Sequence, residues 1–151
     1  MQGNNLKFIV SVIALLFFGC ASLLSSPNKE LFSWRYPKAE VYSVKELILR
    51  EGYTVWGKEK ESCVDYVSFV DCYTLNRYIR KDIDGNNNPV TILFSFKETT
   101  PPSEYYRNLA IHIGAKEDSS AVKTEIDRIE NKLYAKILEI AGSSNVIRGE
   151  R

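Results

Sequence analysis

The segment SSAVKTEIDRIENKLYAKILEIAG, Ser119 to Gly142, decides the fold. Val122, Ile126, Ile129, Leu133, Ile137 and Ile140 recur at steps of three and four, and Tyr134, Leu138 and Ala141 widen the stripe. That spacing predicts one amphipathic helix of about twenty-two residues. Ser119 or Ser120 can cap its start, Glu117 and Asp118 sit at its positive end, and Gly142 stops it. A helix with one apolar face needs an apolar surface to cover. Two stretches upstream supply one. In VTILFSFK, residues 90–97, Val90, Ile92, Phe94 and Phe96 face one way. In NLAIHIG, residues 108–114, Leu109, Ile111 and Ile113 turn inward. Such alternation is the signature of half-buried strands.

The remaining elements extend this pattern. Ser43-Val44-Lys45-Glu46 reads as a capping box opening a short helix with Val44, Leu47 and Ile48 as its apolar stripe, closed by Gly52. YTVW (53–56), CVDYVSFV (63–70) and YTLNRYIR (73–80) are strand-prone, with Tyr73, Leu75 and Ile79 sharing a face. KDIDGNNNP (81–89) joins two strands through residues that accept positive φ, so a hairpin is expected there. Pro101-Pro102 excludes a central strand at that point. The order helix, strands, long helix predicts an α+β fold. We expect a two-layer sandwich, with an antiparallel sheet of about four to five strands covered by a short N-terminal and a long C-terminal helix. No solenoid-length repeat is present.

The chain has 151 residues and is 44% hydrophobic, enough for one packed core. Lys and Arg total 20 against 19 Asp and Glu. A charge-balanced body has no electrostatic reason to seek nucleic acid or a polyanionic membrane surface.

The N-terminus has its own layout. Met1–Lys7 is polar with one cation, Phe8–Phe18 is uncharged and mostly apolar, and Gly19-Cys20-Ala21-Ser22 is small. These are the three parts of a secretory signal. The residues FFGC at 17–20 resemble the lipobox of bacterial lipoproteins. Gly19 stands where that pattern wants a small residue, Leu16 lies one place further out than its usual Leu, and Phe17 and Phe18 replace the usual Leu and small residue. The resemblance covers about the first 22 residues. It implies that the signal, residues 1–19, is cut before Cys20 and that Cys20 is the lipid attachment site. Two or three acyl chains then give stable anchoring. With no Asp after the Cys, the resemblance implies delivery to the outer membrane, facing the periplasm. Residues 20–32 are then the lipidated Cys and a flexible tether reaching ~20 Å. Residues 33–145 are expected to form one α+β domain and residues 146–151 a disordered tail. Extended to Leu24, the apolar run reaches the lower edge of a membrane span, so an uncleaved single-span protein is the competing reading.

Chemistry-bearing residues are few. Cys63 and Cys72 are left as a pair in an exported chain, which favours a disulfide. Along one straight strand they would lie ~30 Å apart on opposite faces, and VDYVSFVD between them holds no Gly or Pro. A bridge and two separately buried thiols therefore both stand. His112, the one histidine, points away from Ile111 and Ile113. With Cys63 or Cys72 it would make a nucleophilic pair, but no supporting motif accompanies it. Asp82, Asp84, Asn86 and Asn88 occupy the first four odd positions of a calcium-loop pattern. Asn87 and Leu93 stand where that pattern needs Gly and Glu. No phosphate loop, G-x-S-x-G or H-E-x-x-H occurs, and neither cofactor nor metal is expected. Tyr66, Tyr73, Tyr78, Tyr105 and Tyr106 lie in or beside the strands, and rings so placed either pack or bind a glycan or a protein partner.

The sequence thus leads to an expectation of a membrane-anchored envelope lipoprotein acting as a non-enzymatic binding or assembly module. Its partner would be another envelope protein or a glycan. A small exported hydrolase, using Cys or carboxylates with His112, is the alternative.

Overall fold

Alternating apolar residues in the middle of the chain build a sheet with one dry face. The computed structural model describes residues 28–65, 70–85, 87–98 and 103–150. Its strands are β1 (Asn28–Ser33), β2 (Tyr36–Pro37), β3 (Thr54–Val55), β4 (Lys60–Asp65), β5 (Val70–Arg80), β6 (Val90–Lys97), β7 (Tyr105–Tyr106), β8 (Asn108–Ala115) and β9 (Val146–Glu150). Two α-helices are present among these residues, α1 (Val41–Arg50) and α2 (Ser120–Ala141). The architecture is α+β, with the main sheet antiparallel in the order β3-β5-β6-β8-β1-β9 and β4 also paired to β5. That sheet has seven strands rather than four or five. The added ones are short or lie at the termini, where periodicity is weakest.

The core lies between the sheet and the helices. Ile92, Phe94 and Phe96 pair across to Ile113, Ile111 and Leu109, and all six are buried. Above them lie Val122, Ile126, Ile129, Leu133 and Ile137 of α2. Burying each such side chain stabilises the fold by about 1.5–3 kcal/mol. The Ser119 hydroxyl accepts from Val122 N at 3.2 Å and caps α2. Gly142 closes it at φ +80°, a conformation that favours glycine. In α1, Val41, Val44, Leu47 and Ile48 enter the same core.

Several expectations need correction. Residues 28–32 are not tether. They form β1, where Leu31 is fully buried because it faces Ile111 across the ladder. Residues 146–150 are not a disordered tail. They form β9 and pair along β1 from Ser33↔Val146 to Lys29↔Glu150. The 63–70 stretch is not one strand, because β4 ends at Asp65 and β5 begins at Val70 in the antiparallel partner. The helix α1 starts two residues before Ser43, whose hydroxyl donates to Glu40 O at 2.7 Å and so is no N-cap. A short 3₁₀ turn, Lys38–Glu40, leads into it instead. In β5, Tyr73, Leu75 and Ile79 share a face as expected, and it is the outer one, because Tyr78 faces the core opposite Ile92. Residues 1–27, Tyr66 and Pro101-Pro102 lie outside the described residues.

The last strand is clamped to α2. Arg148 makes a two-pronged ion pair with Glu130, donates to Asn131 Oδ1 at 2.6 Å and stacks 4.9 Å from the Tyr134 ring centre. Glu130 is only 1% exposed, whereas Arg148 is partly solvated. Removing the cation strands a buried carboxylate, a cost of about 2–3 kcal/mol. Arg148→Ala is therefore expected to lower the unfolding free energy measured by urea titration by that amount. Adding Glu130→Leu should recover most of the loss. A single variant within ~0.5 kcal/mol of wild type, the usual range for surface changes, would show that β9 is not held this way.

Candidate functional site

Polar side chains converge at three places, and each is built by a different set of elements. The first joins the end of α1, the end of β5 and the first turns of α2. Glu125 of α2 is buried and receives four donors: the Tyr53 hydroxyl at 2.9 Å, Arg80 Nη1 at 3.2 Å, Arg128 Nε at 2.7 Å and Arg128 Nη2 at 2.9 Å. Arg128 also pairs with Glu51, which accepts from Lys132 Nζ at 2.7 Å. Burial pushes the Glu125 carboxyl up. The hydrogen bonds from Arg128 and Tyr53 and the nearby guanidinium charges outweigh it, leaving the group below the usual carboxylate range. Glu51 is held low by hydrogen bonds from Lys132 and Arg128. The Tyr53 hydroxyl is held protonated, chiefly by burial and then by the Glu125 charge. Each carboxylate here is paired with cations, so the knot fastens the layers together. Sequence reading missed it, although Glu125 and Glu130 interrupting the margins of the α2 stripe were the available signal.

The second place is a groove of about 500 Å³ on the outer sheet face. Glu30, Leu93 and His112 stand side by side there because β1, β6 and β8 pair in that register. His112 Nδ1 is 3.5 Å from Glu30 Oε1, longer than a good hydrogen bond. Thr91 is at the same groove and donates to Gly114 O at 3.2 Å. The structure thus brings an acid to His112 but not a cysteine. Two inter-strand spacings and five residues separate His112 from Cys72, roughly 19 Å in all.

The third is the β4–β5 arm. Cys63 and Cys72 are directly opposite in the ladder, with Cα atoms 4.1 Å apart, and are disulfide-bonded. The chain reverses between Asp65 and Val70, which removes the obstacle that a straight strand posed. Closing so short a loop contributes roughly 2–3 kcal/mol in the chain-entropy account. While bridged, neither sulfur supplies a thiolate nucleophile.

The arm shares one end of the sheet with an aromatic cluster. Trp34 is exposed and meets Phe32 edge to face at 5.6 Å. Arg35 lies 4.1 Å over the Tyr105 ring, Tyr106 packs 4.4 Å from Phe96, and Lys38 pairs with Glu98 beside it. Glu98 N donates to Cys72 O at 3.3 Å, linking the cluster to the arm. The tyrosines do not share one face: Tyr73 is outward, Tyr78 is buried, and Tyr105 and Tyr106 form β7. Asn28 lies at the opposite end of the sheet, against Gly114.

The calcium-type loop is occupied by structural bonds. Asp82 pairs with Arg80 at 3.2 Å and Asp84 accepts from the Ser119 hydroxyl at 3.1 Å. Asn88 holds the Glu117 backbone from both sides, at 2.8 and 3.2 Å. Asn86 lies outside the described residues. Among the described residues no helix is long and apolar enough to cross a membrane. The chain matches no family model and no curated protein.

The knot carries a pH dependence. Glu51 and Glu125 are depressed in the folded state against ~4.3 when unfolded. The unfolded chain therefore binds more protons as pH falls through that value. The stabilisation is complete above it and is lost below it. Urea midpoints should hold steady from pH 7 to 5 and fall steeply from pH 4.5 to 3. Glu125→Gln should be less stable at pH 7 and show a shallower acid fall. A variant with wild-type acid slope would remove Glu125 as its source.

Proposed function

We propose that this chain is a bacterial envelope lipoprotein. Cys20 would carry the anchor, and the α+β domain would act as a non-enzymatic binding or assembly module. The observation that carries the reading is the run from Phe8 to Ser22, in which a basic start, an eleven-residue apolar stretch and small residues end on Cys20. The Cys63–Cys72 disulfide supports it independently, because such bridges persist in oxidising, exported locations. On this reading seven residues, 21–27, separate the anchor from Asn28. The end of the sheet carrying Asn28 then lies toward the membrane. The stapled arm, Trp34 and the Arg35–Tyr105 stack point away from it, toward a neighbouring envelope protein or glycan. No nucleic-acid partner fits the balanced charge.

The hydrolase alternative retains a His112–Glu30 pair but has no thiolate while the bridge stands. We therefore place binding ahead of catalysis.

Metabolic labelling with a clickable fatty acid tests the anchor. Wild type should take up label, sediment with membranes and lack residues 1–19 by intact mass. Cys20→Ala should lose the label and the processing. An unlabelled wild type that retains its first nineteen residues would overturn the proposal in favour of a spanning segment.

A further inference from the structure

The disulfide arm holds one more acceptor than a staple needs. Glu61 precedes Cys63 by two residues on β4, so both side chains project from the same face of the arm. Cys72 stands opposite Cys63 in β5. A carboxylate oxygen of Glu61 and the two sulfurs all lie within 4.8 Å of one another. Glu61 and Cys63 are exposed and Cys72 is half-buried, so a reductant and an ion can both reach them. Among the described residues this is the grouping of metal-ligating side chains close enough to share an ion.

We propose that the reduced arm is a redox-gated site for a soft divalent cation such as Zn²⁺, with the thiolates of Cys63 and Cys72 and the carboxylate of Glu61 as ligands. The inference does not depend on the anchor. In the oxidised chain the sulfurs are bonded to each other and cannot ligate. A dithiol reductant passes two electrons and two protons to the bridge, giving two thiols and its own disulfide. The cation then displaces both thiol protons. Tetrahedral coordination with Zn–S of about 2.3 Å sets the sulfurs about 3.8 Å apart. Facing side chains of a cross-strand pair reach that separation by side-chain rotation alone. The ladder runs from Lys60↔Leu75 to Asp65↔Val70, so five register pairs hold the two strands together besides the bridged one. Two thiolates select soft or borderline metals over calcium and magnesium. Three protein ligands leave a fourth position for water or a partner's donor atom. The sulfur–metal–sulfur link would replace the sulfur–sulfur link, so the arm stays joined in both states.

The test uses the full chain in detergent, as wild type and as Cys20→Ala, so that a free thiol at position 20 cannot supply a ligand. The bridge is reduced with a phosphine, which leaves as the phosphine oxide with one oxygen from water. Cd²⁺ is the probe, read by thiolate-to-metal charge-transfer absorption, with circular dichroism monitoring the sheet. One Cd²⁺ per reduced chain is expected in both proteins, and none in the oxidised chain. Cys72→Ser should abolish the band. Glu61→Gln should keep it but weaken affinity by more than the roughly 10–100-fold that outer-shell changes cost. Absence of the band in reduced protein, loss of the sheet signal on reduction, or an affinity unchanged in Glu61→Gln would each overturn the proposal.

Discussion

The structure rests on a single contact, the apolar stripe of α2 laid along the dry face of β1, β6 and β8. Five α2 aliphatics are buried there against Leu31, Ile92, Phe94, Leu109, Ile111 and Ile113. At about 25 cal/mol per Å² of apolar surface, this is the dominant favourable term of the fold. Other features follow from it. A strand beside β8 must exist to cover the flank of α2, and β1 fills that place. β9 adds to β1, and Arg148 ties it to Glu130 on the neighbouring flank of the same helix. The Glu125 knot forms where the first turns of α2 cross the ends of α1 and β5. Charge therefore appears at the margins of the stripe, matched in every instance, while its centre stays apolar.

How far the sequence could be read depended on the strength of local periodicity. The stretches with strong alternation, 90–97 and 108–114, are strands with the expected residues inward, and 120–141 is the expected helix. These segments bury one face alone, so pattern and environment coincide. β1 and β9 were not legible for the opposite reason. NKELFS and VIRGE carry few apolar residues, and each is a strand because a neighbour offers an unpaired edge. The same holds for β5. Its stripe of Tyr73, Leu75 and Ile79 is the more apolar one, yet Tyr78 on the other face meets Ile92. A strand's apolar side can be read locally, whereas the side that meets the helices is decided by its partners.

The ion-pair knot and the arm were hidden for a related reason. Glu51, Arg80, Glu125 and Arg128 are spread over 77 residues of chain and become a set only when three elements meet. Cys63 and Cys72 look incompatible along an extended chain because an odd step separates their faces. In an antiparallel pair that objection disappears, since direct opposition places both side chains on one side. Composition could say that two cysteines remained, and topology was needed to say where they stood. Glu61 acquires meaning only through the same register, as it is one of many exposed acids until its strand partner is known.

The boundary of β1 also changes what an anchor at Cys20 would do. A spacer running to residue 32 gives a coil reach of ~20 Å, whereas one ending at residue 27 gives ~15 Å. Six paired residues of β1 span about 17 Å. Under the proposed anchoring, the Asn28 end would ride against the headgroups and the arm end would stand clear by roughly the length of the sheet. Under that anchoring, a shorter spacer would narrow the heights at which the arm can act. On this reading a partner would approach the arm from the periplasmic side, because the membrane would block the other end. The balanced charge of the body adds no electrostatic pull toward the bilayer, so on this reading the tether and the excluded volume of the domain would set its height.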